Sequence, residues 1–247
     1  MLSLIPFNPS KGGSVLNLQP LREQIYQYLR REMQEGDLLP GSSIDLNRIS
    51  QELGVSKTPL RDAIIQLEAK GFVTILPRRG VLVNVLTLRD VKNIYEVLGS
   101  LETSVILSVF DRLGEDRLAH MDEINAKYRK ASVNGDYEQI YRLNLAFHDT
   151  FLELSGNSEM KTLIVPLKQR LYDFPRRAYL SEWELRNAEE HEQFIQAIRN
   201  SNINGAQEIW KDLHWSFSYQ EGFIRRFYAL GVKEYQFEMA QRQARQK

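Results

Sequence analysis

Thirty residues, Ile44 to Val73, limit the fold of this chain more than any other stretch. Two helices face one another there across Gly54. Leu46, Ile49 and Leu53 fall on one face of the first, and Leu60, Ile64 and Leu67 on one face of the second. Gly54 supplies the permissive backbone of the turn. Ser56 is placed to cap the second helix, and Pro59 lies in its first turn, where a missing N–H matters little. Ser56, Lys57, Thr58 and Arg61 then project from the exposed N-terminal turn, the surface that a helix-turn-helix presents to the major groove. An ordinary helical hairpin would share this spacing, so the flanks decide. Upstream, Leu21, Ile25, Leu29 and Met33 form a helix face able to cover the hairpin. Downstream, Gly71–Val85 reads as two short strands around Pro77–Gly80, with Gly80 allowing the turn and Arg78 and Arg79 at its tip. Helix, helix-turn-helix and basic wing together make a winged helix.

With 247 residues the chain has room for two domains. The winged helix ends near Leu86, and the remaining ~160 residues can bury a second core. The expected division is an N-terminal arm (1–18), the winged helix (19–86), a helical domain (87–230) and a tail (231–247). Zero cysteines exclude disulfides and thiolate metal sites. No apolar run reaches the ~18 residues of a membrane span, and the first residues lack a secretory signal pattern, so a cytoplasmic protein without a membrane partner is expected. The net charge is zero, and residues 1–86 carry ten Lys/Arg against eight Asp/Glu. Affinity for DNA must therefore come from where charge is placed and from dimerisation.

Beyond Leu86 nothing reads as a strand, and the fold class is mainly α: a winged helix followed by a bundle of six or seven helices. Thr87 is placed to cap a helix from Leu88 to about Phe110, which Gly114 follows. Further helices are predicted over Glu115–Ala131, Tyr137–Leu154 (capped by Asp136) and Ser158–Tyr172, with Pro166 as a possible kink. A short helix can follow Pro175. Ser181 is expected to cap Glu182–Arg199, and one long helix, Ala206–Ala229, follows the turn at 200–205.

Three of the four histidines lie in the second half of the chain, all within this bundle. Asn144 and His148, spaced i,i+4, share a helix face. His191 and His214 flank the 200–205 turn almost symmetrically and would stand at one level of an antiparallel pair. Three imidazoles and an amide converging in a bundle can hold a divalent metal, though a satisfied core histidine is the plainer reading of each. His120 fits no such pattern and reads as a surface residue.

The chain resembles the GntR family of bacterial transcription regulators, in its FadR-like branch with a helical FCD effector domain. The resemblance spans roughly residues 20–228. It is carried by Leu39-Pro-Gly41, Leu53–Ala63, Leu67–Val73 and Arg79–Val83. In the second half Leu101-Glu102, Asn144–His148, Ser155–Asn157, Glu190-His191 with Ala197-Ile198, and Leu213-His214 extend it. It implies a homodimer on a short palindromic double-stranded operator, controlled by a small molecule, expected to be an organic acid. The DNA contacts it implies fall on Asn47, Ser56, Lys57, Thr58 and Arg61, with the wing around Gly80. Asn47 and Lys57 stand where Arg is more frequent, and Lys lacks the two-pronged fork of Arg, so the operator is expected to depart from the family's consensus. The implied metal ligands are His148, His191 and His214, with Asn144 in place of the usual Asp; Zn, Ni or Mn would be held more weakly for want of that charge. Leu98 occupies a position where relatives carry an Arg for the effector's carboxylate, and Arg176 or Arg177 could substitute.

An alternative keeps the DNA-binding role and makes the helical domain a metal-free pocket for an apolar ligand. A remoter one is a metal-dependent enzyme. No general base is placed by motif beside the histidines, and a winged helix has no part in that reading, so the chain is expected not to be an enzyme.

Overall fold

The computed structural model describes residues 20–173 and 180–228. The expected arm and tail, and the segment just after Pro175, lie outside them. Two hydrophobic cores organise the chain.

The first is built by α1 (Leu21–Glu35), α2 (Leu46–Leu53), α3 (Lys57–Ala69) and a three-stranded antiparallel sheet of β1 (Ser43–Ile44), β2 (Val73–Leu76) and β3 (Gly80–Val83). Ile25, Leu29 and Met33 of α1 meet Ile49, Ile64, Leu67 and Phe72 beneath the sheet. Asp45, rather than a Ser or Thr, caps α2: one carboxylate oxygen accepts from the backbone N–H of Asn47 and Arg48 at 2.9 and 3.0 Å. Gly54 takes φ 63° and closes the turn. Ser56 occupies the N-cap position of α3, but its side chain makes no capping bond, contrary to expectation. Strand β1 was not anticipated; two residues are too few to show a period-2 pattern. It pairs Ser43 with Leu82 and Ile44 with Val81.

The second core is all-helical: α4 (Leu88–Val109), α5 (Glu115–Asn134), α6 (Tyr137–Ser155), α7 (Ser158–Asp173), α8 (Ser181–Arg199), α9 (Ile203–Glu208) and a helix over 217–228, labelled α10. Thr87 caps α4 in a reciprocal box with Asp90. Leu180, not Ser181, is the N-cap of α8; the Ser181 hydroxyl instead donates to the Ser132 carbonyl at 3.1 Å. The expected continuous helix from Ala206 to Ala229 is also corrected. After α9 the backbone widens into a π-helical turn, Ile209–His214, and breaks at Trp215 before α10.

The two cores meet at Leu86, which packs on both. A second contact joins α7 to the entrance of the wing. Gly71, with φ 77°, has no side chain, and a Cβ there would stand 3.0 Å from the Arg170 guanidinium.

Candidate functional site

Two surfaces concern function, one on each core. On the winged helix, Ser56, Lys57, Thr58 and Arg61 are exposed on the first turns of α3, and Asn47 is exposed at the start of α2. The wing is a tight hairpin in which Leu76 pairs with Gly80. Arg78, at φ 63°, turns the tip, and the Arg79 N–H donates to the Leu76 carbonyl at 3.0 Å. Arg78, Arg79 and Gly80 are exposed. All eight expected contact positions thus lie on the surface. Because Ser56 leaves the N–H groups of α3's first turn unpaired by its side chain, they remain open to an outside acceptor.

In the bundle, His148 of α6, His191 of α8 and His214 of the π-turn come together, each with a ligating nitrogen within 4.8 Å of the others. Each imidazole is held through Nδ1. His148 Nδ1 lies 2.8 Å from Glu102 Oε2, His191 Nδ1 3.2 Å from Asn125 Oδ1, and His214 Nδ1 3.0 Å from Glu190 Oε2. Asn125 donates its amide N–H to the Ala188 carbonyl, so its oxygen is the acceptor toward His191. With a carboxylate oxygen on His148 and an amide oxygen on His191, Nδ1 of these two rings carries the proton and Nε2 the lone pair. Nε2 of His148 and of His191 is buried without a partner, as is the Asn144 amide oxygen. The Asn144 amide N–H is engaged, donating to the Tyr172 hydroxyl at 3.0 Å.

These orphaned acceptors fit a divalent cation. A neutral imidazole pinned at Nδ1 and free at Nε2 is the arrangement metal-binding histidines require. Burial, with the Lys168 charge adding to it, holds the His148 pKa down to about 3. Burial also pushes His191 well below the ordinary histidine value, with His214 and His148 contributing. Both rings are therefore neutral and ready to ligate.

Glu102 is the hub behind the triad. Besides His148, its Oε2 accepts from Trp210 Nε1 at 3.1 Å and Trp215 Nε1 at 2.8 Å, while Oε1 forms an ion pair with Lys168 at 2.6 Å. Burial alone would raise this carboxyl; Lys168, then His148, overcome it and hold it well below its ordinary value. The π-turn explains the paired indoles. Positions five apart on a regular α-helix point about 140° away from each other. The wider turn, closed by the Trp215 N–H to Trp210 carbonyl bond at 3.0 Å, brings both to one carboxylate.

Glu102, Lys168 and Asn125 were not assigned roles from sequence. A signal was present: Glu102 interrupts the apolar stripe Tyr95, Leu98, Val105, Val109, and a charge on a buried stripe requires a partner. Glu190 turns away from its neighbour His191 and meets His214. Leu98 is fully buried in the core. Arg176 and Arg177 lie outside the described residues.

Beside the triad a cavity of about 100 Å³ opens, bordered by Asn144, His214, Tyr95, Tyr172, Glu184 and Asn187 among others. Burial pushes the Glu184 carboxyl up from its ordinary value. Among the described residues, no helix is long and apolar enough to cross a membrane.

Residues 21–83 match the profile of bacterial regulatory proteins of the gntR family, and residues 93–214 match the FCD domain. The chain is 26% identical over 191 residues to the uncharacterized HTH-type transcriptional regulator YdhC of Bacillus subtilis, an alignment covering 76% of this chain and 85% of that protein. It is 31% identical over 166 residues to an uncharacterized HTH-type regulator from an unstable DNA locus of Streptomyces ambofaciens, covering 65% and 67%. Against the HTH-type transcriptional regulator McbR of Escherichia coli it is 26% identical, covering 59% of this chain and 65% of McbR. The solved E. coli McbR/YncC structure superposes with a TM-score of 0.66 at 21% identity, over 88% of this chain and all of that one, which speaks for the fold.

Proposed function

The chain belongs to the GntR family of bacterial regulatory proteins, with an FCD domain as its helical half, and from that premise we propose that two copies bind a palindromic operator under the control of a small molecule seated in the bundle. The observation that carries this reading is the pairing of an exposed recognition-helix terminus, uncapped by its side chain, with a buried histidine triad in which His148 and His191 lack a partner at Nε2, in one chain.

On the DNA side, Arg61 and Lys57 can reach guanine edges or phosphates, while Ser56 and Thr58 anchor the backbone and Asn47 lies beside them. Arg78 and Arg79 on the wing, around Gly80, reach the flanking groove. One winged helix with little net positive charge makes few contacts, and a second copy on a two-fold site doubles them. Val97 and Leu107, large apolar side chains exposed on α4, support a partner surface for such a dimer.

On the effector side, His148, His191 and His214 would hold a divalent ion such as Zn, Ni or Mn, with Asn144 as a neutral oxygen donor. Bound there, the ion would supply open positions for oxygen ligands. An organic-acid effector would use those positions and the Arg176–Arg177 pair. The working units are residues 19–86 for DNA and 87–230 for effector and dimer.

Arg61→Ala is the deciding variant for the DNA role. The expected result is loss of operator binding by at least tenfold, with the circular dichroism spectrum unchanged; binding retained with the same salt dependence removes α3 from the interface. For the ion, elemental analysis of the native protein is expected to give about one metal per chain. A His148→Ala/His214→Ala variant should lose it, and a metal-free native protein would leave the triad as a core feature only.

A further inference from the structure

Beyond its first turn, helix α3 keeps an exposed face whose side chains differ from those of any other helix surface in the winged half. Resting on the DNA role proposed above, we infer that Ile65 determines operator specificity by packing on the 5-methyl group of a thymine in the major groove.

Position is the first argument. Ile64 and Leu67 of α3 are buried at 1% and 0% exposure, whereas Ile65 is 48% exposed. A single apolar side chain on a surface is ordinary, but Ile65 shares its bearing with the recognition surface. At about 100° per residue, Thr58, Arg61, Asp62 and Ile65 fall in one band about 100° wide, with Ile65 near its middle. All four are exposed. At about 1.5 Å per residue the band runs about 10 Å along the axis from Thr58 to Ile65. Base pairs stand about 3.4 Å apart, so a helix lying along the groove carries this band over about three of them. Ile65 then stands about two base pairs beyond Arg61.

The band is also free of engagements within the chain. Elsewhere on α3 the polar side chains are tied: Gln66 donates to Glu23 Oε2 at 3.0 Å, and Glu68 accepts from the Ile75 N–H at 2.7 Å. Exposed charges on other helices pair along their own axis, as Arg48 does with Glu52 at 2.9 Å and Lys127 with Glu123 at 2.6 Å. Among the described residues, the side chains of Thr58, Arg61 and Asp62 have no hydrogen bond or ion pair. The position four after Arg61, where a pairing acid would stand, is Ile65 itself.

Asp62 decides which part of the duplex this band meets. Phosphates repel a carboxylate, whereas base edges offer it the amino groups of cytosine and adenine. Ile65, near the same bearing, is therefore turned to the floor of the groove and not to its rim. Of the groups that distinguish base pairs there, the thymine 5-methyl is the apolar one. Its contact with Ile65 removes two apolar surfaces from water and leaves no polar group unpaired.

The test uses the full chain and a duplex enriched from a random library, with affinities read by fluorescence anisotropy at one salt concentration. Each thymine of a half-site is replaced in turn by deoxyuridine, which removes the 5-methyl group and keeps the hydrogen-bonding edges. At one thymine the native chain is expected to bind about fourfold more weakly, the factor for one buried methyl-sized group. Ile65→Ala is expected to weaken binding of the thymine duplex by about the same factor and to show no further loss with deoxyuridine. Its salt dependence should match that of the native chain, because no phosphate contact is removed. Circular dichroism checks that the variant folds, and the deoxyuridine series on the native chain decides alone should it not. Indifference of the native chain to every replacement overturns the inference, as does equal sensitivity in Ile65→Ala. A loss in Ile65→Ala seen on the full two-fold duplex but absent on an isolated half-site also overturns it, by assigning the side chain to a contact between copies. Enrichment of no duplex overturns the DNA role itself. Tight binding that Arg61→Ala abolishes and deoxyuridine leaves unchanged overturns the Ile65 assignment alone.

Discussion

The behaviour of the triad with pH can be worked out residue by residue. His148 is held down to about 3 and His191 well below its ordinary value, chiefly by burial, whereas an unfolded histidine titrates near 6.5. Above about pH 6.5 neither state of the chain takes these protons, and the histidines add nothing to the pH dependence. Below it the unfolded chain binds protons that the folded chain refuses, so stability falls as the pH drops from about 6.5 toward 3. Glu102, held low by Lys168 and His148, extends the same trend below the ordinary glutamate range. Urea midpoints taken between pH 7.5 and 5 in the presence of a chelator should therefore stay level down to about pH 6.5 and decline below it; a profile flat throughout would mean the rings are not buried neutral. These roles were only partly legible beforehand. The spacing of His148, His191 and His214 was readable because helical faces and a turn fix it. Their anchors, Glu102, Asn125 and Glu190, come from α4, α5 and α8, and no local pattern says which polar residue crosses a bundle to meet which ring. The eight surface positions of the winged helix were readable for the opposite reason: they follow from one helix terminus and one hairpin, both short-range.

Among the elements, the π-turn and α7 carry most of what the sequence concealed. Helix prediction assumes a 3.6-residue period, so Ala206–Ala229 reads as one rod. Trp210 and Trp215 are five apart, and that spacing is the trace of the wider turn that lets both indoles reach Glu102. Strand β1 was hidden by its two-residue length. Helix α7 has an apolar side broken by Lys168, which is buried and paired with Glu102, and two residues later Arg170 lies against Gly71. Gly71→Ala tests that contact. Its φ of 77° disfavours any Cβ, at about 1–2 kcal/mol, and the new methyl would press on the Arg170 guanidinium. The expected outcome is a destabilised junction between the wing and α7, read as faster amide exchange in β2 and in the last turn of α7. Unchanged exchange in α7 would show that the two cores do not lean on one another there.

For the whole molecule, two cores are joined through Leu86 and through Arg170, and the function proposed above divides between them the reading of DNA and the sensing of a ligand. The division was visible in the sequence because its two halves differ in period: strand alternation ends near Leu86, and everything after it is helical. The short joint between them has a thermodynamic corollary. Arg170 touches the wing's entrance, and its neighbours Leu171 and Tyr172 line the cavity, so one turn of α7 belongs to both. Two equilibria that share a structural part obey reciprocity: whatever factor an occupant of the cavity imposes on operator affinity, the operator imposes on the occupant. Under the function proposed above, in which the ligand alters operator affinity, the regulator held on its DNA would respond to a different concentration of ligand from the same regulator free in solution.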